Sequence, residues 1–395
     1  MAFDRASVRD ADVDGKRVLV RVDFNVPLVD GEVGDDTRIR AALPTIEYLR
    51  ERGAKLILAS HLGRPGGEVD PSLSLAPVAA RLAEFLGTTV EVADDVAGPD
   101  SERLAAGLEP GSVMLIENTR FEVGETKNDP ELAGRMAAIA DVYVNDAFGT
   151  AHRAHASTAG VAALLPAYAG LLLESEVTHL ESVADDPDRP LVVLLGGSKV
   201  SDKVGVIDRF LDIADQVLIG GAMCFPFFAS RGTDTGNSLV ESAGIPLAGE
   251  MVQRAIARNC DLVLPVDLVI GREFDAETDS KQLDGVDVPM GWMGLDIGPK
   301  TAADYAARIA GAGTVLWNGP MGAFELPAFE SGTRTVAEAV AASSALTVIG
   351  GGDSVAALAQ FGLTDEVDWV STGGGASLEL LEGKVLPGVA ALNEA

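Results

Sequence analysis

The chain has 395 residues, enough for two domains of ordinary size, and 47% of them are hydrophobic. Its 60 acidic residues against 30 lysines and arginines give a formal net charge of −30, whose field repels nucleic acids and anionic membranes. The two cysteines form no CxxC, the start has no signal-peptide pattern and the longest apolar stretch contains Pro166. We therefore expect a cytoplasmic monomer that binds neither nucleic acid nor membranes.

Short apolar runs alternate with helical patterns along the first half, which is typical of parallel βαβ units. Helices are predicted from about residue 37, with Thr37 as N-cap, at 75–87 and at 130–140. The stretch 165–183 predicts a longer connecting helix. The predicted strands are KRVLVRVDF (16–24), AKLILAS (54–60), TTVEV (88–92), SVMLIEN (112–118) and DVYVNDAF (141–148).

A second series of apolar runs begins after the polar turn DDPDRP (185–190). Its runs are apolar almost throughout, as strands buried on both faces should be. The sequence therefore predicts an α/β protein of two doubly wound lobes with parallel sheets. The predicted strands are LVVLLGG (191–197), QVLIGG (216–221), DLVLPVD (261–267), TVLWNGP (314–320), LTVIGGG (346–352) and VDWVSTGGG (367–375).

Glycine is concentrated at the ends of these later strands. Four of the six end in a glycine pair or triplet, and a fifth ends in Asn-Gly-Pro. Glycine lets a backbone approach a ligand closely, and ligands of open α/β sheets bind at the carboxyl ends of strands. A single such glycine is usually just part of a tight turn, but the repetition favours a binding site for a nucleotide polyphosphate. Neither GxxxxGK[ST] nor GxGxxG occurs.

Cationic side chains follow the strands of the first lobe in a similar way. Each one alone is more often a surface arginine paired with a carboxylate. Together they predict a basic basin for a phosphate and a carboxylate, because the guanidinium group matches both anions. Asp23 and Asn25, directly after the first strand, add polar groups to this edge. The four arginines are Arg38, Arg64, Arg120 and Arg153.

Nine segments, in this order along the chain, resemble the signature segments of the phosphoglycerate kinase family, and the likeness runs from about residue 16 to 390. They are RVDFNVP, DDTRIRAALPTI, ASHLGRP, ENTRF, GTAHRAHAST, LLGGSKVSDK, WNGPMGAFE, IGGGDS and STGGGASLELLEGK. The resemblance implies two Rossmann-like lobes that move about a hinge helix. It implies an N-terminal phosphoglycerate-binding lobe (1–165), the hinge helix (166–188), a nucleotide-binding lobe (189–376) and a C-terminal segment that returns to the first lobe (377–395).

The resemblance also implies the ligands and the residues that bind them. 3-Phosphoglycerate or 1,3-bisphosphoglycerate is expected at Arg21, Asp23, Phe24, Asn25, Arg38, His61, Leu62, Gly63, Arg64, Arg120 and Arg153. ATP or ADP with Mg²⁺ is expected at Lys199, Lys203, Asn318, Glu325, Gly351, Gly352, Asp353, Ser354 and Gly374. Asp353 is expected to hold the magnesium ion, and Glu325 the ribose hydroxyls. Arg38, Lys199 and Gly373 are expected to act in catalysis.

The reaction that the resemblance implies is phosphoryl transfer between the acyl phosphate of 1,3-bisphosphoglycerate and ADP, a step of glycolysis. A nicotinamide-dependent dehydrogenase is one alternative, but this sequence lacks the usual fingerprint of such enzymes, GxGxxG with an acidic residue about 20 positions later. A non-catalytic two-lobed anion-binding protein is another, and it would not need cations in both lobes. The resemblance implies that segment 220–228 lines the adenine side, but its sequence departs from the family pattern and we assign it no specific base contacts. The acidic segment 271–292 also departs from the pattern, and we assign it no role.

The acidic excess is spread along the whole chain, and lysine is scarce beside arginine. A solvated acidic surface that aids solubility would explain part of this excess. Its size favours adaptation to high salt, where screening removes the self-repulsion of the chain. We therefore expect a halophilic protein.

Overall fold

A computed structural model of the chain describes residues 3–395. The chain folds into two compact units. Of the described residues, 3–178 and Val385–Ala395 form the N-terminal unit, and His179–Lys384 form the C-terminal unit. The lobe boundaries and the hinge inferred from the sequence stay predictions.

The N-terminal unit is an α/β unit with one main sheet. In chain order its elements are β1 (Arg17–Arg21), β2 (Leu28–Val29), β3 (Glu32–Val33), α1 (Thr37–Glu51), β4 (Lys55–Ala59), α2 (Ala76–Leu86), β5 (Val90–Val92), α3 (Pro99–Gly107), β6 (Val113–Leu115), α4 (Pro130–Ala138), β7 (Val142–Asn145) and β8 (Ala167–Ala169). Helix α5 (Leu171–Asp185) begins in this unit, and its residues from His179 onward belong to the C-terminal unit. The main sheet has six parallel strands in the order β5-β6-β4-β1-β7-β8. Strands β2 and β3 form a small antiparallel hairpin.

The core of this unit lies along β1 and its neighbours. Val18 and Val20 of β1 are completely buried, and they share one apolar cluster with Ile39 and Ile46 of α1 and Leu56 of β4. A strand that is apolar at successive positions has helices or chain over both faces, as in other parallel sheets. The packing therefore fixes the carboxyl ends of β6, β4, β1 and β7 side by side at one edge.

Two predicted helix starts differ from the structure. Thr37 is the first helical residue, and the cap position is Asp36. The Asp35 carboxylate accepts the Thr37 N–H at 2.8 Å, so an aspartate fills the role that the sequence gave to threonine. In the sequence Asp-Asp-Thr all three residues are good caps, which left this boundary ambiguous.

The prediction of helix over 165–183, and of a connecting helix from residue 166, is wrong at its start. Residues Ala167–Ala169 form β8, and α5 begins only at Leu171. Pro166 has no N–H for a helix and disfavours helical backbone in the residue before it. Its carbonyl accepts the Tyr143 N–H at 2.9 Å, which ties this stretch to β7.

The C-terminal unit repeats the α/β arrangement with a second sheet. Its elements are β9 (Leu191–Leu195), α6 (Val204–Ile213), β10 (Gln216–Ile219), α7 (Phe225–Ser230), α8 (Gly244–Arg258), β11 (Asp261–Val263), β12 (Leu268–Gly271), β13 (Ser280–Leu283), β14 (Met293–Ile297), α9 (Pro299–Ala310), β15 (Thr314–Asn318), α10 (Ser331–Ala341), β16 (Leu346–Gly350), α11 (Gly352–Phe361), β17 (Trp369–Val370) and α12 (Gly375–Leu381). Helix α13 (Pro387–Ala390) belongs to the N-terminal unit.

The main sheet of the C-terminal unit has six parallel strands in the order β11-β10-β9-β15-β16-β17. These are the six runs that the sequence predicted, and the predicted fold class is confirmed. The sequence did not predict the antiparallel sheet β13-β12-β14, which includes part of the acidic segment 271–292.

The end of the chain is hydrogen-bonded within the N-terminal unit. The Asn145 side-chain amide donates to the carbonyl of Gly388 at 3.0 Å, and the Ala6 N–H donates to the carbonyl of Asn393 at 2.9 Å. Between residues 3 and 395, no helix is both long enough and apolar enough to cross a membrane.

Candidate active site

The carboxyl ends of β1, β4 and β6 bring their following loops together in the N-terminal unit. The Ser60 hydroxyl, just after β4, accepts the Phe24 N–H at 2.8 Å. The Asn118 side chain, after β6, accepts the N–H groups of Leu62 and Arg120 at 3.1 Å each. These side chains hold three strand-end loops in a fixed relation, and most of the predicted substrate-binding residues lie on them.

Arg21 lies at the centre of this edge and is completely buried, although it is a charged residue. Its Nε donates to the Ser157 hydroxyl at 2.9 Å, and another nitrogen donates to the carbonyl of Val22. Its remaining nitrogen lies 3.1 Å from Nδ1 of His61. Since an arginine can only donate, Nδ1 of His61 is the acceptor in this contact.

His61 is therefore a neutral imidazole. Burial lowers its pKa well below the ordinary value, and the nearby charges of Arg21, Arg120 and Arg38 lower the pKa further. With Nδ1 accepting from Arg21, the ring carries its proton on Nε2. The ring is thus a hydrogen-bond donor at neutral pH and has no proton-accepting nitrogen to spare.

Asp23, Asn25 and Arg38 form a second group at the same edge. An Arg38 nitrogen donates to Oδ1 of Asp23 at 3.3 Å and to the carbonyl of Asn25 at 3.2 Å. The Asn25 side chain accepts the Gly63 N–H at 2.9 Å, and Arg120 donates to the Gly63 carbonyl at 2.6 Å. The structure thus joins these five predicted residues in one hydrogen-bonded set.

The other predicted substrate-binding residues differ in exposure. Arg64 is exposed and makes no hydrogen bond or ion pair with any residue in 3–395. Arg153 is also exposed, and its Nε donates to Nε2 of His152 at 3.0 Å. Phe24 and Leu62 belong to the apolar core, so only their backbone atoms are suited to a polar ligand.

In the C-terminal unit, glycines let three strand ends approach one another closely. A Cβ placed on Gly196, after β9, would clash with the carbonyl oxygen of Pro320, after β15. A Cβ on Gly221, after β10, would lie 2.6 Å from the Gly197 nitrogen, and Gly221 has a φ of +65°. The repeated strand-end glycines therefore have a packing role at these positions.

Lys203 and Asn318 lie together beside these glycines. The Lys203 ammonium donates to the carbonyl of Gly196 at 2.8 Å, and to the carbonyl and side-chain oxygens of Asn318 at 2.6 Å each. Burial lowers the pKa of Lys203 to about 8, against the opposing charge of Asp353. The Asn318 side-chain nitrogen is buried and has no hydrogen-bond partner in the described chain.

Helix α11 begins next to Asn318. Gly351 takes the position before the helix with a φ of +86°, and the Ser354 hydroxyl accepts the Gly319 N–H at 2.5 Å. Gly352 and Asp353 are exposed at the helix start. Free N–H groups and the positive dipole end at such a start favour an anion.

Three further predicted residues lie elsewhere in this unit. Lys199 is exposed and forms no hydrogen bond or ion pair among the residues described. Gly373 and Gly374 precede α12, and the Gly373 N–H donates to the Ser371 hydroxyl at 3.2 Å. The Gly373 N–H therefore has a hydrogen-bond partner within the protein.

A pocket of about 710 Å³ in the C-terminal unit adjoins the glycine-rich strand ends. Its lining is mainly apolar and includes Phe225, Leu239 and Leu295, while Glu325 and Asp353 supply carboxylates. Sequence reasoning identified Glu325 and Asp353 but missed most of the apolar wall. Phe225 comes from segment 220–228, which the resemblance places on the adenine side, and Phe274 comes from segment 271–292, to which the sequence analysis gave no role.

No group of three or more His, Cys, Asp or Glu side chains in residues 3–395 is arranged to hold a metal ion. A Mg²⁺ ion that binds with a nucleotide is commonly held by one or two protein carboxylates plus substrate phosphates. Asp353 is a suitable carboxylate, since it lies at the start of α11 and lines the pocket.

The fold and these two sets of residues define a two-unit α/β protein with anion-binding features at the strand ends of each unit. The sequence model of the family "Phosphoglycerate kinase" matches residues 8–384. The chain belongs to the phosphoglycerate kinase family.

Individual relatives agree with this assignment. The chain is 54% identical to "Phosphoglycerate kinase" of Chloroflexus aurantiacus over 399 residues, covering 100% of both chains. It is 53% identical to the protein of the same name from Thermosipho africanus, covering 99% of this chain and 98% of the relative. Two solved structures of phosphoglycerate kinases each cover 98% of this chain and of their own. They are from Coxiella burnetii (TM-score 0.90, 43% identity) and Pyrococcus horikoshii (TM-score 0.86, 33% identity).

These matches leave the dehydrogenase and the non-catalytic alternatives without support.

Sequence reasoning also missed several residues that organise the N-terminal site, among them Asn118, Glu125 and Ser157. Asn118 lies within the segment ENTRF and Ser157 within GTAHRAHAST, so their positions in signature segments were the available signal. Glu125 lies just after ENTRF and outside any of them.

Proposed function

We propose that this chain catalyses the reversible transfer of a phosphoryl group between 1,3-bisphosphoglycerate and ADP, giving 3-phosphoglycerate and ATP. Family membership over residues 8–384 supports this reaction. The observation that carries the proposal is the hydrogen-bonded arginine set of the N-terminal unit, Arg21, Arg38 and Arg120, together with His61, whose remaining ring nitrogen is a donor.

This arrangement suits a reaction that needs no general base. In the ATP-consuming direction the acceptor is a carboxylate, and such acids have a pKa of about 4, so the acceptor is already ionised at pH 7. His61 has a pKa well below its ordinary value, and burial lowers the pKa of His155 to about 4 against the opposing charge of Glu125. Catalysis then depends on positioning and on stabilising the charge of the transferring group.

The substrate roles are divided among the cations of the N-terminal unit. We assign Arg64, Arg120 and Arg153 to the phosphate that does not react, and His61 to the substrate carboxylate through its Nε2–H. Arg38 acts on the transferring phosphoryl group, and Asp23 orients it at 3.3 Å. Arg21, Asn25 and the backbone of Gly63 hold these groups in place.

The C-terminal unit binds the nucleotide. The mainly apolar pocket receives the base, and Glu325 accepts hydrogen bonds from the ribose hydroxyls. Lys203, the free Asn318 amide and the N–H groups at Gly351–Ser354 bind the phosphates. Lys199 contributes a mobile charge to the transferring group, and Gly373 and Gly374 contribute backbone N–H groups, with Gly373 exchanging its Ser371 partner.

Asp353 would hold Mg²⁺ together with the nucleotide phosphates. When bound, the ion neutralises negative charge on the phosphate oxygens. A cytoplasmic location, a monomeric state and tolerance of high salt remain part of this proposal and rest on the sequence arguments alone.

A coupled assay tests the proposed reaction. The assay contains ATP, Mg²⁺, 3-phosphoglycerate, NADH and a coupling dehydrogenase that reduces 1,3-bisphosphoglycerate. Turnover by the kinase should then appear as NADH oxidation. Omitting 3-phosphoglycerate should abolish the signal, and an Asp353→Asn variant should lower it strongly. Absence of turnover by a folded wild-type protein would overturn the proposal.

A further inference from the structure

A carboxylate is buried beneath the arginine set of the N-terminal unit. Glu125 is completely buried in the 3₁₀ turn Glu125–Lys127, where a charged group is costly unless it is paired and hydrogen-bonded. Ser157 supplies both of its hydrogen bonds, from the hydroxyl to Oε1 at 2.5 Å and from the N–H to Oε2 at 3.0 Å. Within residues 3–395 no lysine or arginine pairs with it directly, and His155 Nδ1 lies 3.8 Å away.

The positive charge that balances Glu125 is one hydrogen bond further away. The Ser157 hydroxyl oxygen also receives Nε of Arg21 at 2.9 Å. Arg21 can only donate, and an ionised carboxylate can only accept, so the single hydroxyl proton of Ser157 must point to Glu125. Ser157 therefore links two completely buried, oppositely charged side chains. Its hydroxyl can only accept from Arg21 and donate to Glu125.

The same arginine determines the state of His61. Its third contact is with Nδ1 of His61 at 3.1 Å, which requires that nitrogen to be free of a proton. We call the chain Glu125–Ser157–Arg21–His61 the buried relay. It runs from a carboxylate outside all nine signature segments to a ring that we place on the substrate.

The relay excludes a competing form of the histidine. Oδ1 of Asp23 lies 4.0 Å from the same Nδ1 of His61. If Arg21 withdrew, Nδ1 could carry the proton and turn toward Asp23, which would leave Nε2 as an acceptor. An acceptor facing an anionic substrate would repel it, so the position of Arg21 decides which hydrogen bond His61 can make.

We propose that Glu125 and Ser157 are positioning residues, which hold Arg21 so that His61 keeps its proton on Nε2 and donates a hydrogen bond from Nε2–H to the substrate. Its kinetic consequence rests on the proposed function, since it requires that His61 contacts 3-phosphoglycerate. The effect on the tautomer of His61 does not, because the relay is complete without substrate.

The direct test is NMR of the protein labelled with ¹⁵N-histidine. The chain has only 4 histidines, and a His61→Gln variant assigns the His61 signals by difference. In the wild type, His61 should show a protonated Nε2 and an unprotonated Nδ1 throughout pH 6–8. In Glu125→Gln and Ser157→Ala, a population with protonated Nδ1 should appear, whereas Glu131→Gln, an exposed charge-matched control on α4, should match the wild type.

Steady-state kinetics gives the second readout. Both relay variants should raise KM for 3-phosphoglycerate about tenfold, as expected for a weakened charge-assisted hydrogen bond, while KM for ATP stays within twofold. Ser157→Thr, which keeps the hydroxyl, should recover most of the loss. A folded Ser157→Ala protein with the wild-type ¹⁵N pattern and unchanged KM would overturn the proposal.

NMR of the wild-type protein alone can also test the buried relay. If the relay variants fail to fold, a protonated Nδ1 on wild-type His61 at pH 7 would still overturn the proposal, and a protonated Nε2 with an Arg21 N–H coupled to Nδ1 would support it. If the protein lacked kinase activity, the ¹⁵N pattern would still decide the relay, so the two failures are distinguishable.

Discussion

At the scale of single residues, the arginines of the N-terminal unit differ in how firmly the protein holds them. Arg21 is completely buried, and Arg120 is tied to the Gly63 carbonyl. Arg38 is oriented by Asp23, whereas Arg64 is exposed without a protein partner among residues 3–395. A guanidinium held before the substrate arrives loses less entropy on binding, which suits a role in the transition state.

The division of roles between Arg38 and Arg64 gives the first prediction. Arg38→Ala should reduce kcat by about a hundredfold, because an interaction made mainly in the transition state lowers kcat when it is lost. Arg64→Ala should mainly raise KM for 3-phosphoglycerate, by about tenfold, with little change in KM for ATP. Steady-state kinetics on variants checked by thermal melting measures both. A near-normal kcat in Arg38→Ala would show that the division is wrong.

Lys203 gives a prediction about protons. Its pKa of about 8 lies below the 10.5 of an ordinary lysine, so near pH 8 part of the protein carries it uncharged. Polyphosphate binding should raise that pKa, since a nearby opposite charge favours the charged form. ADP binding at pH 8 should therefore take up a fraction of a proton.

Calorimetry in buffers of different ionisation enthalpy measures this uptake. Lys203→Met should abolish it, while Lys199→Met, which removes an exposed cation of the same unit, should retain it. Equal proton uptake by the wild type and Lys203→Met would contradict the assignment.

The same pKa has a consequence for stability. Between about pH 8 and 10.5 the unfolded chain binds more protons at this site than the folded one, so the contribution of Lys203 to stability rises with pH in that window.

At the scale of elements, the strand-end glycines have two separable roles. Gly196 has no room for a Cβ, because the Pro320 carbonyl occupies that space, whereas a Cβ on Gly352 would meet nothing within 4 Å. Gly196→Ala should therefore lower the free energy of unfolding of the C-terminal unit by about 3 kcal/mol, as overpacking against backbone does. Gly352→Ala should leave stability unchanged but raise KM for ATP, since its methyl group would stand where the phosphates approach.

Denaturant unfolding and ATP kinetics on the two variants separate these roles. Gly352→Ala is the matched control for Gly196→Ala, because both add one methyl group at a strand end or helix start of the same sheet edge. A Gly352→Ala protein with unchanged KM for ATP would show that no ligand approaches this helix start closely.

The strands of the two main sheets other than β8 could be predicted from the sequence, and the central ones are buried on both faces. Such strands leave short apolar runs, and Gly, Pro or Asp marks their ends. The antiparallel strand Ser280–Leu283 is almost entirely exposed, so its sequence has no apolar pattern from which a strand could be predicted. Strand Ala167–Ala169 is short and follows Pro166 directly, and its pairing with β7 is decided by tertiary contacts that the local sequence does not encode.

The site was predictable to a similar degree, for the same physical reason. Arginines after strands can be read from the sequence, because the topology of a parallel sheet brings strand ends together. Glu125 could not be read in that way, since an isolated glutamate usually lies at the surface. Its burial depends on Ser157, 32 positions away along the chain, and on Arg21, which only the fold brings to it.

At the scale of the whole molecule, the chain passes between the two units near Thr178 and again near Lys384, and the proposed function assigns one ligand to each unit. Phosphoryl transfer requires the two ligands to come within bonding distance, and products must then leave. Small-angle scattering should therefore show a smaller radius of gyration with both substrates than with either one alone. An unchanged radius in the ternary complex would contradict movement of the two units during the reaction.

The response to salt is the last prediction, and two opposite effects decide it. Exposed ion pairs, such as those of Arg254 and Arg258 with Asp208, are worth about 0.2–1 kcal/mol each and weaken as salt is added. The self-repulsion of a chain with a net charge of −30 weakens as well, which stabilises the fold. Because 60 acidic residues face only 30 basic ones, at least half of the carboxylates have no basic residue of their own, and the second effect should win.

Thermal melting across a KCl series measures the balance. At pH 7 the melting temperature should rise from 0.1 M into the molar range, beyond the point where the screening length has fallen to about 3 Å at 1 M. At pH 5, closer to the isoelectric point of about 4.3, the net charge is smaller and the rise should shrink. A melting temperature that is flat or falls above low salt at pH 7 would leave the acidic surface with a role in solubility alone, because a chain whose folding depended on relief of this repulsion could not behave in that way.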